Sequence, residues 1–156
     1  MQVNNALKLS IVIEYYTSMD PTTLSIDTYN KIAHKYFQKY FNDLSDGPFL
    51  NVFLKPLPKG GKILDAGCGA GQFAKYIKEK GYQVTGVDLS QNMLDLAHKN
   101  VPGCTFEQMD MRHLTYPKES FDGILAAYSL IHVSSQELPS TLEEFYNVLK
   151  PRGSLL

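Results

Sequence analysis

The sequence predicts an α/β fold, a doubly wound and mainly parallel sheet with helices on both faces. Three observations lead there. Apolar β-like runs alternate with helical stretches along the chain, the pattern of parallel strands joined by right-handed crossovers. One run, Ile63-Leu64-Asp65, passes into a turn with glycines at every second position (Gly67, Gly69, Gly71) and then into a helical stretch over 73–80. Finally, Asp65, Asp88 and Asp110 fall at or just past the carboxyl ends of predicted strands, where open α/β sheets hold their ligands.

The elements follow in order. Residues 1–26 read as an N-terminal extension or lid segment. Ile11-Val12-Ile13 is β-branched yet also fits a short helix, and Met19 before Asp20-Pro21 is a plausible start, so the first 18 residues read as an extension. Asp27 is a plausible N-cap for an amphipathic helix with an aromatic stripe: Tyr29, Ile32, Tyr36, Phe37, Tyr40 and Phe41 recur at three- and four-residue steps. Packing on the sheet explains most of that stripe; Tyr29 and Tyr36 are the two best placed to reach a ligand. Asp46-Gly47-Pro48 is a turn, 49–54 a short helix, and Gly60-Gly61 leads into the first strand.

After the glycine turn and its helix, Gly81 is a stop signal and Gln83 to Asp88 a second buried strand. Ser90 is the N-cap of a helix over 91–99. Cys104 to Glu107 is a third strand and Phe121 to Ala127 a fourth, with 128–133 extending past its end. Pro139 opens a helix to Leu149. Lys150-Pro151-Arg152-Gly153 is a turn, and Ser154-Leu155-Leu156 begins a fifth strand.

Composition excludes several classes. The 156 residues are 44% hydrophobic and 20% charged, as for one globular domain. A net charge of −1 gives no field for nucleic acid or an anionic membrane, and no apolar run is long enough to span one. With no signal-peptide pattern and only two cysteines, Cys68 and Cys104, a cytoplasmic protein with reduced thiols is expected. The histidines are isolated, so no metal site is expected.

The turn also bears on the ligand. A dinucleotide fingerprint needs a third glycine where Gln72 stands, and Asp65 before the turn would repel a pyrophosphate but attract an amine. Asp88, 21 positions beyond Gly67, can accept two hydrogen bonds from a ribose diol. A ligand with a cationic end and a ribose, S-adenosylmethionine, fits both. Leu89, Met93 and Met111 would offer apolar contacts to adenine, and Asp110 an acceptor for its amino group. The bland alternatives are a structural turn, and loop acids at 88 and 110.

These residues resemble the class I S-adenosylmethionine-dependent methyltransferases of the small-molecule type. The likeness runs from Tyr29 to Leu156: the aromatic helix Tyr29-Asn30-Lys31-Ile32-Ala33 with Tyr36, the signature Leu64-Asp65-Ala66-Gly67-Cys68-Gly69-Ala70-Gly71, Val87-Asp88-Leu89-Ser90, Met109-Asp110-Met111, Phe121-Asp122 with Ser129 to Val133, and Leu149-Lys150-Pro151-Arg152-Gly153. The resemblance implies a Rossmann-like domain over 27–156. It implies that Asp65, Ala66 and the Gly67, Gly69 and Gly71 backbone hold the methionine end, with the Ala126 carbonyl accepting from its amino group. Asp88 takes the ribose, and Leu89, Asp110 and Met111 frame the adenine. His132 lies on the substrate side, as a general base or, more plainly, a structural histidine.

The function so implied is transfer of the sulfonium methyl group to an O, N or C nucleophile of a small-molecule acceptor. A cofactor-binding fragment or regulatory subunit is the alternative, and an NAD-dependent oxidoreductase the more distant one. The family usually builds seven strands, so a chain stopping at Leu156 is expected to be incomplete at its C-terminus, with an open edge through which two copies pair.

Overall fold

The computed structural model describes residues 21–156. The expectations for residues 1–20 lie outside the described residues. Five parallel strands form one sheet in the order β3-β2-β1-β4-β5. They are β1 (Lys62–Ala66), β2 (Gln83–Asp88), β3 (Thr105–Gln108), β4 (Phe121–Leu125) and β5 (Leu149–Leu155). The helices are α1 (Pro21–Tyr40), α2 (Gly47–Leu54), α3 (Gln72–Glu79), α4 (Gln91–Asn100) and α5 (Leu138–Val148). The order runs outward from β1 in both directions, so the switch point lies between β1 and β4, beyond whose carboxyl ends a crevice opens.

The period-2 alternation of side chains sorts the core into two layers. Ile63 of β1 packs with Leu50, Phe53 and Leu54 of α2, with Ala74 and Ile77 of α3, and with Leu94 and Ala97 of α4. Its neighbour Leu64 faces the other way, with Val87, Ile124 and the α5 residues Phe145 and Val148. Helix α1 lies outside this sandwich: Ala33 meets Met93 and Leu96 of α4 and Ala70 of the glycine turn.

Several boundaries differ from expectation. Asp27 is not an N-cap: α1 already includes residue 21, so Asp27 lies inside the helix and residues 21–26 are part of it. β4 ends at Leu125, and the stretch beyond it turns through Tyr128 (φ 57) into a short 3-10 helix, Leu130–His132. The turn expected at 150–153 is a bulge within β5: Phe121 pairs with Leu149 and Gly123 with Ser154, so five positions on β5 face two on β4, with Arg152 at φ 66. Among the described residues no helix is long and apolar enough to cross a membrane.

Candidate functional site

The glycine turn links β1 to α3 in a left-handed backbone: Gly67, Gly69 and Gly71 have φ of 79°, 52° and 84°. The N–H groups of Gly67 and Cys68 both donate to the Val87 carbonyl, at 2.8 and 3.0 Å, tying the turn to β2. The three glycines differ in what a side chain would meet. A Cβ at Gly67 would sit 2.3 Å from the Ser129 Cβ, and one at Gly71 would lie 3.2 Å from both Ala97 and Val101. At Gly69 there is nothing within 4 Å. The turn therefore needs glycine for close packing at 67 and 71, and presents open space at 69.

Asp88, at the end of β2, joins this turn to the next helix. Its Oδ2 accepts from the Gly69 N–H and its Oδ1 from the Ser90 N–H, both at 2.8 Å. Ser90 caps α4 as its sequence position requires, accepting from the Met93 N–H at 3.3 Å. The Ser90 hydroxyl donates to Asn30 Oδ1 at 2.7 Å, and the Asn92 amide donates to the Asn30 carbonyl at 2.9 Å. Asn30 thus latches α1 onto the start of α4.

These elements enclose a cavity of about 170 Å³. Of the residues singled out in the sequence, Gly67, Gly69, Asp88, Leu89 and Met93 line it from the sheet and α4, Asp110 and Met111 from the loop after β3, Tyr29 and Tyr36 from α1, and His132 from the 3-10 helix. Asp65, Ala66, Gly71 and Ala126 do not reach its wall. Asp65 and Ala66 are 1% and 0% exposed, beneath the turn, and Gly71 is packed against α4. β4 ends two residues before the expected Ala127; Ala126 donates its N–H to the Leu156 carbonyl, and Ala127, Tyr128 and Ser129 stand on the wall.

Around the turn three buried oxygens have no hydrogen-bond partner: Asp65 Oδ2, Gln72 Oε1 and Ser129 Oγ. Gln72 and Ser129 line the cavity, and Asp65 lies just under it. Such a set is costly unless a donor completes it. Burial, reinforced by the Asp88 charge and opposed by the Ala74 N–H, pushes the Asp65 carboxyl up to about 7. The folded state then holds a proton that the unfolded chain, near the ordinary 3.8, has released. Stability should fall as pH rises from about 4 to 7 and level off above. Denaturant melts of the unliganded protein and of Asp65→Asn across that window should show the decline in the first and a flatter profile in the second.

Sequence reasoning missed Arg112. Its guanidinium grips Asp110 from Nε at 3.0 Å to each oxygen and from Nη2 at 2.7 Å; Nη1 reaches Glu137 at 2.8 Å and the Thr22 hydroxyl of α1 at 3.2 Å. Burial pushes the Asp110 carboxyl up, but Arg112 outweighs it and holds the group below the usual range. Asp110 is therefore engaged on both oxygens while still lining the cavity. A basic residue two positions after a loop acid was the available signal. Gln72 and Ser129 carried none: the first was visible only as the place where a dinucleotide glycine is absent.

With α1 latched at both Asn30 and Thr22, the cavity is below the ~300 Å³ at which small-molecule sites usually begin. Outward movement of α1 would enlarge it for a nucleoside-sized ligand. Amide exchange along α1 should then be faster without ligand than with it, and Arg112→Ala should speed it about tenfold in the free protein. Equal exchange in all three states would leave α1 as a fixed packing helix.

Comparison with known proteins bears on this geometry. Residues 63–153 match the family described as methyltransferase domain. The chain is similar to the putative methyltransferase YqeM of Bacillus subtilis (strain 168), 36% identical over 105 residues that cover 64% of this chain and 42% of that protein. It is 41% identical over 108 residues to phosphoethanolamine N-methyltransferase 1 of Zea mays, covering 66% of this chain and 21% of the relative. The crystal structure of an S-adenosylmethionine-dependent methyltransferase from Mesorhizobium loti superposes with a TM-score of 0.64 at 31% identity, covering 72% of this chain and 52% of that one. The chain thus spans 21 to 52% of the length of these relatives.

Proposed function

Because this chain belongs to the methyltransferase-domain family and is similar to a solved S-adenosylmethionine-dependent methyltransferase, we propose that it binds that cofactor in the crevice beyond β1, β2 and β4 and passes its methyl group to a small-molecule acceptor. One observation carries the reading: the unpartnered oxygens of Asp65, Gln72 and Ser129 gathered at the glycine turn. Those of Gln72 and Ser129 are on the wall and can accept from the α-ammonium group of the cofactor, a charged donor, with the Asp65 carboxyl beneath them. Gly69 offers the open space a ligand needs against the backbone.

In this reading Asp88 takes the ribose on the lone pairs left by Gly69 and Ser90, while Leu89, Met93 and Met111 flank the adenine. Asp65 and Ala66 act from beneath, Asp65 through its charge, and Gly67 and Gly71 by shaping the turn. Tyr29 and Tyr36 cover the cavity from α1. The bound cofactor supplies a methyl group on a sulfonium, already a good electrophile. The chain contributes alignment and exclusion of water. The Tyr29 hydroxyl lies 3.0 Å from His132 Nε2, so this pair can take a proton from an acceptor and pass it to the exposed side of the imidazole.

The domain responsible is residues 27–156 with the 21–26 turn of α1, in a cytoplasmic setting that keeps Cys68 and Cys104 reduced; pairing of copies along the β5 edge is part of the same reading. Calorimetric titration with S-adenosylhomocysteine and with NAD, followed by an assay for S-adenosylhomocysteine release over a panel of small acceptors, tests it. Binding of NAD and not of S-adenosylhomocysteine would overturn it. Because the chain covers 42% of the Bacillus relative, a second reading stands: cofactor binding without turnover by this chain alone. Tight binding with no product over the panel would select it.

A further inference from the structure

The aromatic side chains on the cavity wall have a distinct chemistry. Tyr29 and Tyr36 come down from α1 with rings 6.0 Å apart at 80°. The His132 ring stands 5.4 Å from Tyr29 at 87°. Tyr128 faces them from the loop after β4, its ring stacked on Phe73 at 6.4 Å and its hydroxyl 3.1 Å from Asp46. Four aromatic side chains from three separate segments therefore line one cavity: Tyr36 and His132 each stand nearly at right angles to Tyr29, and Tyr128 is stacked on Phe73. Tyr128 is 62% exposed and holds a left-handed backbone (φ 57), a conformation rare for an aromatic residue that needs support from its surroundings.

Charge decides what such an opening attracts. Among the described residues, the only Lys or Arg on the cavity wall is Arg112, and its guanidinium is engaged by Asp110, Glu137 and Thr22. Asp88 and Asp110 line the same cavity. A carboxylate or phosphate at the reacting end of an acceptor would meet carboxylates and no free cation. An ammonium group would meet π-faces and negative charge, the combination that recognises alkylated ammonium ions.

We propose that the aromatic opening formed by Tyr29, Tyr36, Tyr128 and His132 is the acceptor subsite and takes an alkylamine, whose alkylated product is held as an ammonium ion. The proposal rests on the reading of this crevice as a methyl-transfer site only in calling the ligand an acceptor; the aromatic subsite is testable by binding alone. It also asks that an amine surrender its proton before its lone pair is free, and the His132 imidazole on the subsite wall, bonded to Tyr29, is the group there that can receive it.

Choline serves as probe, and its uncharged isostere 3,3-dimethylbutan-1-ol as control. Calorimetry is the measure, with tyrosine fluorescence in support, since three of the chain's ten tyrosines line the cavity. Each probe is titrated with and without S-adenosylhomocysteine. Choline should bind at least tenfold more tightly than the isostere. Tyr128→Asn, chosen because Asn tolerates the left-handed backbone, should weaken choline about fivefold or more and reduce its preference over the isostere. Equal binding of the two probes, no binding of choline, or no effect of Tyr128→Asn would overturn the proposal. Choline binding in a protein that fails to bind S-adenosylhomocysteine would keep this inference and sink the cofactor reading; the converse result would do the opposite.

Discussion

A Gly69→Val chain should fold and lose S-adenosylhomocysteine binding by at least a hundredfold, ~2.8 kcal/mol. The protein offers no obstacle to a side chain there, since nothing lies within 4 Å of the position a Cβ would take. The cost to the fold is confined to placing a β-branched residue at φ 52, about 1–2 kcal/mol, which a domain of ordinary stability survives. What the side chain fills is the space against the turn that the ligand must occupy. Gly67→Ala is the contrasting variant. Its methyl group would sit 2.3 Å from Ser129, so it should lower stability before binding is tested. Melting curves and calorimetry on the two variants separate the roles: a folded Gly69→Val protein with normal affinity would remove the turn from the site.

The second large effect is expected at Asp88. Asp88→Ala removes the acceptor for two backbone N–H groups, Gly69 and Ser90, as well as the proposed ribose contact. Stability should fall by about 2–4 kcal/mol, since bonds to a charged group contribute roughly 1.5–3 kcal/mol each and water replaces part of the loss at this half-buried site. For a domain of this size that is a drop of roughly 5–15 °C in Tm. Affinity for S-adenosylhomocysteine should fall by about 1.5–3 kcal/mol or more. Asp88→Asn, which keeps one acceptor oxygen, should recover part of the stability and little of the affinity. An unchanged Kd for Asp88→Ala would show that this acid serves only the scaffold.

The sheet was legible because its signals are local. β-branched runs, the stop at Gly81 and the cap at Ser90 each act within a few residues, and β2 and α4 begin where the sequence places them. Legibility ended where the outcome depends on groups distant in sequence. Gly67, Gly69 and Gly71 look alike in the chain; Ser129 and Ala97, brought in by folding, make two of them packing residues. Asp110 reads as a free loop acid until Arg112 folds back on it, and Asp65 reads as an exposed ligand group until the turn covers it. β4 ends two residues short of Ala127 because strand ends are set by pairing with β5, which a local pattern does not encode.

Helix α1 carries Tyr29 and Tyr36, whereas Tyr128 and His132 stand on the sheet side of the opening. The aromatic subsite is therefore complete only while α1 is seated, whereas outward movement of α1 gives the larger ligand more room to enter. Steady-state turnover should accordingly follow a compulsory sequence, cofactor before acceptor. S-adenosylhomocysteine would then compete with S-adenosylmethionine but inhibit noncompetitively against the amine, and at high cofactor concentration its observed association rate should reach a plateau set by the opening of the helix.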